Sequence, residues 1–107
     1  MSEGKYELLP GPITINGSIA YKIKALKSFG DVTAGQIGGA VSSESNLSHL
    51  GCCWIYDNGA AVENARVYGN AKIYDNAIIA ESAQVYDSAK IGGNVMVKGN
   101  AQVYDCA

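Results

Sequence analysis

The chain of 107 residues has two prolines, one histidine, one tryptophan and one phenylalanine. Its apolar stretches run for only a few residues, which excludes a membrane-spanning helix. No apolar segment follows Met1-Ser-Glu-Gly-Lys, so a secretory signal is not expected. Three cysteines, two of them adjacent (Cys52 and Cys53), make no even-numbered disulfide framework, and a reducing cytoplasmic setting is expected. Charge of neither sign dominates. Eight Lys+Arg against ten Asp+Glu leave a formal charge of -2, which argues against non-specific nucleic-acid binding. The length suits one domain and is too short for two. Glycine, with 13 copies, is plentiful and implies many tight bends.

What the chain does have is a repeat. From Ile55 it divides into sixes: IYDNGA, AVENAR, VYGNAK, IYDNAI, IAESAQ, VYDSAK, IGGNVM, VKGNAQ and VYDCA. The first position is Ile or Val except at Ala61, and the fifth is Ala except at Gly59 and Val95. The fourth is Asn except at Ser82, Ser88 and Cys106. A period of six matches neither a helix nor a simple alternating strand. It fits short strands joined by corners and wound into a coil, with the first position pointing inward and a small fifth residue where space is short. Asp, Glu, Gly, Asn and Ser at positions three and four suit the corners. Asn in particular tolerates left-handed backbone and can bond neighbouring coils. Stacked coils complete one another's backbone hydrogen bonds, so none is stable alone.

Nine consecutive in-phase copies resemble the hexapeptide repeat of left-handed parallel β-helices. The resemblance implies three hexads per triangular coil; the expected fold is all-β, a left-handed parallel β-helix of about three to four coils with an N-terminal β-hairpin cap. It covers about half of the chain. The second position departs from the family pattern, being Tyr at Tyr56, Tyr68, Tyr74, Tyr86 and Tyr104. This Val-Tyr-Asp/Gly-Asn-Ala form resembles small hexapeptide-repeat proteins encoded by phages and prophages. The upstream runs Tyr21-Lys-Ile-Lys-Ala-Leu, Phe29-Gly-Asp-Val-Thr-Ala-Gly, Ser43-Glu-Ser-Asn-Leu-Ser and Cys53-Trp-Ile-Tyr-Asp-Asn share that likeness.

Residues 1–36 read as a β-rich cap and residues 37–107 as the solenoid. In the cap, Pro10-Gly11-Pro12 and Asn16-Gly17 break short β-prone runs, and Asn-Gly is a hairpin turn. In the run 19–26, Ile19, Tyr21, Ile23 and Ala25 share one face and Lys22 and Lys24 the other. Such a hairpin protects the open end of the solenoid, an exposed edge otherwise. Counting back in sixes places Ile37, Ser43 and His49 at first positions and Val41, Leu47 and Cys53 at fifth positions of an irregular first coil.

Stacking the hexads by threes sorts the outward sixth and second positions onto three faces. One carries Trp54, Tyr56, Lys72, Tyr74, Lys90 and Gly92, with Trp54 close enough to the cap for burial beneath it. The second carries Arg66, Tyr68, Gln84, Tyr86, Gln102 and Tyr104, a tyrosine column flanked by polar groups. This face is the candidate platform for a ligand or partner, against the alternative that the rings only stack on one another. The third face carries Ala60, Val62, Ile78, Ala80 and Met96, with Lys98 as its polar exception. An apolar outer strip is the expected subunit seam. The family resemblance favours a homotrimer, with a dimer second.

Chemistry is sparsely represented. Acyltransferases of the hexapeptide family use a histidine as general base in a cleft between subunits. His49 precedes the regular repeats and no protruding loop interrupts them, so a structural role is expected and no catalytic residue is assigned. Adjacent Cys52 and Cys53 point apart on a strand, and Cys106 fills a corner slot, so neither a metal nor another cofactor is expected. The expected function is a non-catalytic oligomeric binding protein of phage type. It would inhibit a bacterial defence protein or sequester a nucleotide signal. A minimal acyltransferase and a structural spike or fibre segment are the alternatives.

Overall fold

The computed structural model describes residues 4–15, 17–30, 32–49, 51–56 and 58–104; Cys106 lies outside them. The chain opens with three antiparallel strands, β1 (Tyr6–Leu8), β2 (Ile13–Ile15) and β3 (Ser18–Ala25). β2 pairs with the start of β3, Ile15 facing Ser18 across the turn that contains Gly17. β1 pairs with its end, Tyr6 facing Ala25. β3 then pairs antiparallel with β4 (Ile37–Val41), the first strand of the solenoid stack. A 3₁₀ turn at Glu44–Asn46 follows.

Beyond it each strand is two residues long, the sixth residue of one hexad and the first of the next. These are β5 (Trp54–Ile55), β6 (Ala60–Ala61), β7 (Arg66–Val67), β8 (Lys72–Ile73), β9 (Ile78–Ile79), β10 (Gln84–Val85), β11 (Lys90–Ile91), β12 (Met96–Val97) and β13 (Gln102–Val103). Parallel pairing between successive coils collects them into three sheets. β5, β8 and β11 form one, β7, β10 and β13 another, and β4, β6, β9 and β12 continue the sheet of the cap. The result is an all-β solenoid of about three turns, with almost no helix. Among the described residues no helix is long and apolar enough to cross a membrane.

The repeat phase places the core as the hexads require. Val67, Ile73, Ile79 and Val85 are buried inside with Ala65, Ala71, Ala77, Ala83 and Ala89. Ile91, Val97 and Val103 of the last coil are only partly buried against them. Corner geometry differs from the expectation. Left-handed backbone falls on the third position, at Glu63, Gly69, Asp75, Glu81, Asp87, Gly93 and Gly99, and not on the fourth-position Asn. The carboxylates found there bind the next coil. Glu81 N–H donates to Glu63 Oε1 at 2.8 Å, Gly99 N–H to Glu81 Oε1 at 2.8 Å and Gly93 N–H to Asp75 Oδ2 at 3.0 Å. Corner asparagines also bond between coils: Asn76 Nδ2 donates to Asn94 Oδ1 at 3.0 Å, and Asn70 Oδ1 accepts the Cys52 N–H at 3.1 Å.

The first coil is out of phase with the backward count. Val41 pairs with Ala61 and Leu47 bridges Val67, so both fill inward first positions rather than fifth ones. These spacings are 20 residues, against 18 between Ile55 and Ile73. The two extra residues lie between Leu47 and Trp54, where the chain makes an irregular bend through Ser48, His49 and Gly51.

Candidate functional site

The irregular bend overhangs the tyrosine face, and between them lies a groove of about 460 Å³. That volume is within the range of small-molecule sites, about 300–1,000 Å³. One wall is the first coil, with Glu44, Ser45, Leu47, Ser48 and His49; the other is Arg66, Val67, Tyr68 and Gln84. Of the six residues the sequence assigned to the platform, Arg66, Tyr68 and Gln84 therefore line the groove. Tyr86, Gln102 and Tyr104 continue the same face beyond it. Pairing sets Arg66, Gln84 and Gln102 in one register. The tyrosine rings stack beside them: Tyr68 and Tyr86 at 5.0 Å and 5°, Tyr86 and Tyr104 at 5.4 Å and 13°. Tyr68 Oη donates to Gln84 Oε1 at 3.1 Å, which fixes the first ring of the column.

The wall above is held rigid by buried polar contacts. Asn46 is fully buried; its Oδ1 accepts the N–H groups of Ser42 (2.8 Å) and Ser43 (2.9 Å), and its Nδ2 donates to the carbonyls of Glu63 (3.1 Å) and Ala65 (2.8 Å). Tyr6 Oη lies at 3.0 Å from the Glu44 carbonyl and 2.5 Å from that of Leu47. Burial, assisted by Glu44, raises the pKa of that hydroxyl and keeps it a donor.

His49 stacks on the Tyr6 ring at 4.1 Å and 6°. The Lys5 backbone N–H donates to His49 Nδ1 at 2.9 Å, which leaves the proton on Nε2 to donate to Glu44 Oε1 at 2.8 Å. Both ring nitrogens are thus engaged. Lys5 itself is buried; its ammonium donates to the carbonyls of Cys53 (2.8 Å) and Gly51 (3.3 Å), touches Cys53 Sγ at 3.4 Å and lies 4.6 Å over the Phe29 ring. Burial lowers the lysine pKa and raises that of the Cys53 thiol. A buried thiol with a raised pKa is a poor nucleophile. Replacing His49 by alanine removes a stacked ring and orphans the Lys5 N–H. It is expected to lower stability by roughly 1–3 kcal/mol, read from the urea midpoint.

The expected seam needs correction. Ala60, Val62 and Ala80 do face outward, but each is fully buried within the single chain, in a second apolar cluster with Ala20 and Ala40. Ile15, from the β2–β3 hairpin, and Ile78 pack against that cluster. The cap has covered in cis the strip that the repeat alone leaves bare, so these three side chains have no surface to offer a second subunit. Ile78 keeps partial exposure, and Met96 is exposed. Trp54, also in an outward slot, is buried under the cap.

Glu44, Ser45 and Ser48 are groove residues that the sequence did not single out. Glu44 and Ser45 belong to the 3₁₀ turn of the first coil, and Ser48 lies in the stretch where the hexad phase breaks.

No family model matches the sequence. Over 52 residues the chain is 42% identical to an uncharacterized acetyltransferase, YdcK, of Escherichia coli strain K12. The match takes in 48% of this chain but only 16% of that protein's length. The two therefore share a stretch about half as long as this chain.

Proposed function

We propose that this protein is a non-catalytic binding solenoid, and that the groove between the first coil and Tyr68 is its binding site. One observation carries the reading: His49, the sole histidine, has both ring nitrogens committed, to Lys5 and Glu44, and neither is placed to take a substrate proton. Around it the groove combines an aromatic face, one cation and hydroxyls, which suits recognition rather than turnover. In this reading the protein is phage- or prophage-encoded and acts in the bacterial cytoplasm, neutralising a defence protein or withholding a small signal. The test is incubation of the purified protein with acetyl-coenzyme A and a panel of amine and hydroxyl acceptors. No release of free coenzyme A is expected. Turnover in the wild type that His49→Ala abolishes would overturn the proposal.

The second reading, a minimal acyltransferase, draws on the similarity to YdcK. The same assay decides between the two.

The assembly we propose is a homotrimer, with a dimer second, held along the margin of the apolar face that the cap leaves uncovered. Met96 is its exposed centre. Met96→Glu is expected to dissociate the assembly. Gln102→Glu, in the corresponding slot of the tyrosine face, is expected to leave it intact. Sedimentation velocity on both variants checks this, and a wild-type mass for Met96→Glu would remove the seam.

A further inference from the structure

Three backbone hydrogen bonds define a column of equivalent outward slots on the tyrosine face. Tyr86 N–H donates to the Val103 carbonyl at 2.9 Å, Tyr68 N–H to that of Val85 at 3.0 Å, and Ser48 N–H to that of Val67 at 2.9 Å. Ser48, Tyr68, Tyr86 and Tyr104 are therefore successive rungs of one ladder. Three rungs hold a ring and the topmost holds a hydroxymethyl group. The groove lies where the fourth ring would be, since Ser48 and Tyr68 both line it. One face of Tyr68 is covered by Tyr86, and among the described residues no ring covers the other.

From this geometry, and resting on the reading of the groove as a binding site, we infer that its ligand is a planar heteroaromatic ring carrying an anionic group, the chemistry of a purine nucleotide. The ring completes the ladder by stacking on Tyr68 beneath Ser48, as bases stack on aromatic side chains in sequence-tolerant nucleic-acid sites. Arg66, two residues from Tyr68 on the same wall, is exposed and has no carboxylate partner among the described residues. It supplies the charge for a phosphate. On the opposite wall the Glu44 carboxylate, held by His49, is placed to accept from an exocyclic amino group. An aromatic side chain from a protein partner would use the stack but leave Arg66 without a counter-ion.

Titration of the full chain with three probes tests this: adenosine 5'-monophosphate, adenosine and ribose 5-phosphate. The nucleotide is expected to bind, adenosine to bind several-fold more weakly, and ribose 5-phosphate to give no saturation. Tyr68→Ala is expected to weaken nucleotide binding roughly tenfold or more. Arg66→Gln is expected to erase the difference between nucleotide and nucleoside. Ser48→Tyr is the decisive variant. It fills the empty rung with a protein ring and should abolish binding, while its far-UV circular dichroism and urea midpoint stay at or above those of the wild type. Nucleotide affinity unchanged in Ser48→Tyr, or no nucleotide binding by the wild type at millimolar concentration, overturns the inference and leaves the broader binding reading standing. Acyl-transfer turnover would instead remove the non-catalytic reading without emptying the groove. A free nucleotide and the nucleotide end of an acyl carrier share this chemistry, and coenzyme A titrated in parallel separates them. Tighter binding than the mononucleotide marks the carrier, equal or weaker binding marks the free nucleotide, and either ranking upholds the stacking site.

Discussion

Replacing Trp54 by alanine is expected to lower the free energy of unfolding by about 3–5 kcal/mol. The register that pairs Trp54 with Lys72, and Lys72 with Lys90, puts the indole in a slot that faces solvent in the later coils. It is nonetheless completely buried, because the cap closes over it. Phe29 meets it edge to face at 5.4 Å and 71°, Tyr6 at 6.3 Å and 73°. Glycine at position 38 leaves the room, since a Cβ there would lie 2.7 Å from Trp54 Cζ2. The indole therefore joins the cap to the solenoid. Its loss empties a large volume in a place where two other rings depend on it, and small domains have only about 5–15 kcal/mol in total. Trp54→Phe is the informative control. The indole N–H has no hydrogen-bond partner among the described residues, so this change sacrifices area but no hydrogen bond. A smaller cost, roughly 1–2 kcal/mol, is expected. Urea denaturation followed by far-UV circular dichroism compares the variants. A midpoint for Trp54→Ala equal to that of the wild type would mean that the cap does not depend on the indole.

The solenoid was legible in the sequence because slot dictates residue there. Val67 and Val85 are both aliphatic and Ala65 and Ala83 both small because each pair occupies one position of the coil, 18 residues apart. Upstream of Trp54 that redundancy is lost. Val41 and Leu47 are apolar in either phase, and only the observed pairing with Ala61 and Val67 shows that the first coil holds two extra residues. The same two residues produce the bend over Tyr68, so the groove exists because the repeat fails there. A periodic reading finds the lower wall, Arg66, Tyr68 and Gln84, and is blind to Ser48 as a rung of the ladder. The apolar face fails for a different reason. Hexad arithmetic states correctly that Ala60, Val62 and Ala80 point out of the coil. Whether they meet water depends on where the β2–β3 hairpin lands, and that is decided by long-range packing of Ile15 and Ala20. A local pattern carries no information about it.

A large effect of a single methyl group is expected at Gly39. This strand, β4, runs between β3 and β6 and is tied to the solenoid by Ala40 N–H donating to the Gly59 carbonyl at 3.0 Å. A Cβ at Gly39 would be driven into that same Gly59 carbonyl and would lie 2.5 Å from Ile55 Cγ2. Space, not left-handed backbone, is the reason for glycine here, since Gly39 is absent from the positive-φ residues. The obstacle is main chain on an adjacent strand, which cannot rotate away as a side chain can. Gly39→Ala must therefore separate β4 from β6 or distort the coil below, and a loss of about 3 kcal/mol is expected, the upper end of the overpacking range. Gly59→Ala sets the scale. Position 59 is a fifth slot, where the other hexads carry Ala with one Val, so the repeat alone favours the change. The added Cβ would meet two methyls that can give by a few tenths of an ångström, Ile55 Cγ2 at 3.0 Å and Ile73 Cγ2 at 3.1 Å, and main chain only at 3.3 Å, the Tyr56 carbonyl oxygen. Its cost should stay below about 1 kcal/mol. Urea midpoints of the two variants measure the difference, and amide hydrogen exchange at Ala40, which donates to Gly59, reports whether the β4–β6 pairing has opened. Equal midpoints for Gly39→Ala and Gly59→Ala, with protection retained at the Ala40 amide, would show that β4 sits farther from β6 than this packing requires.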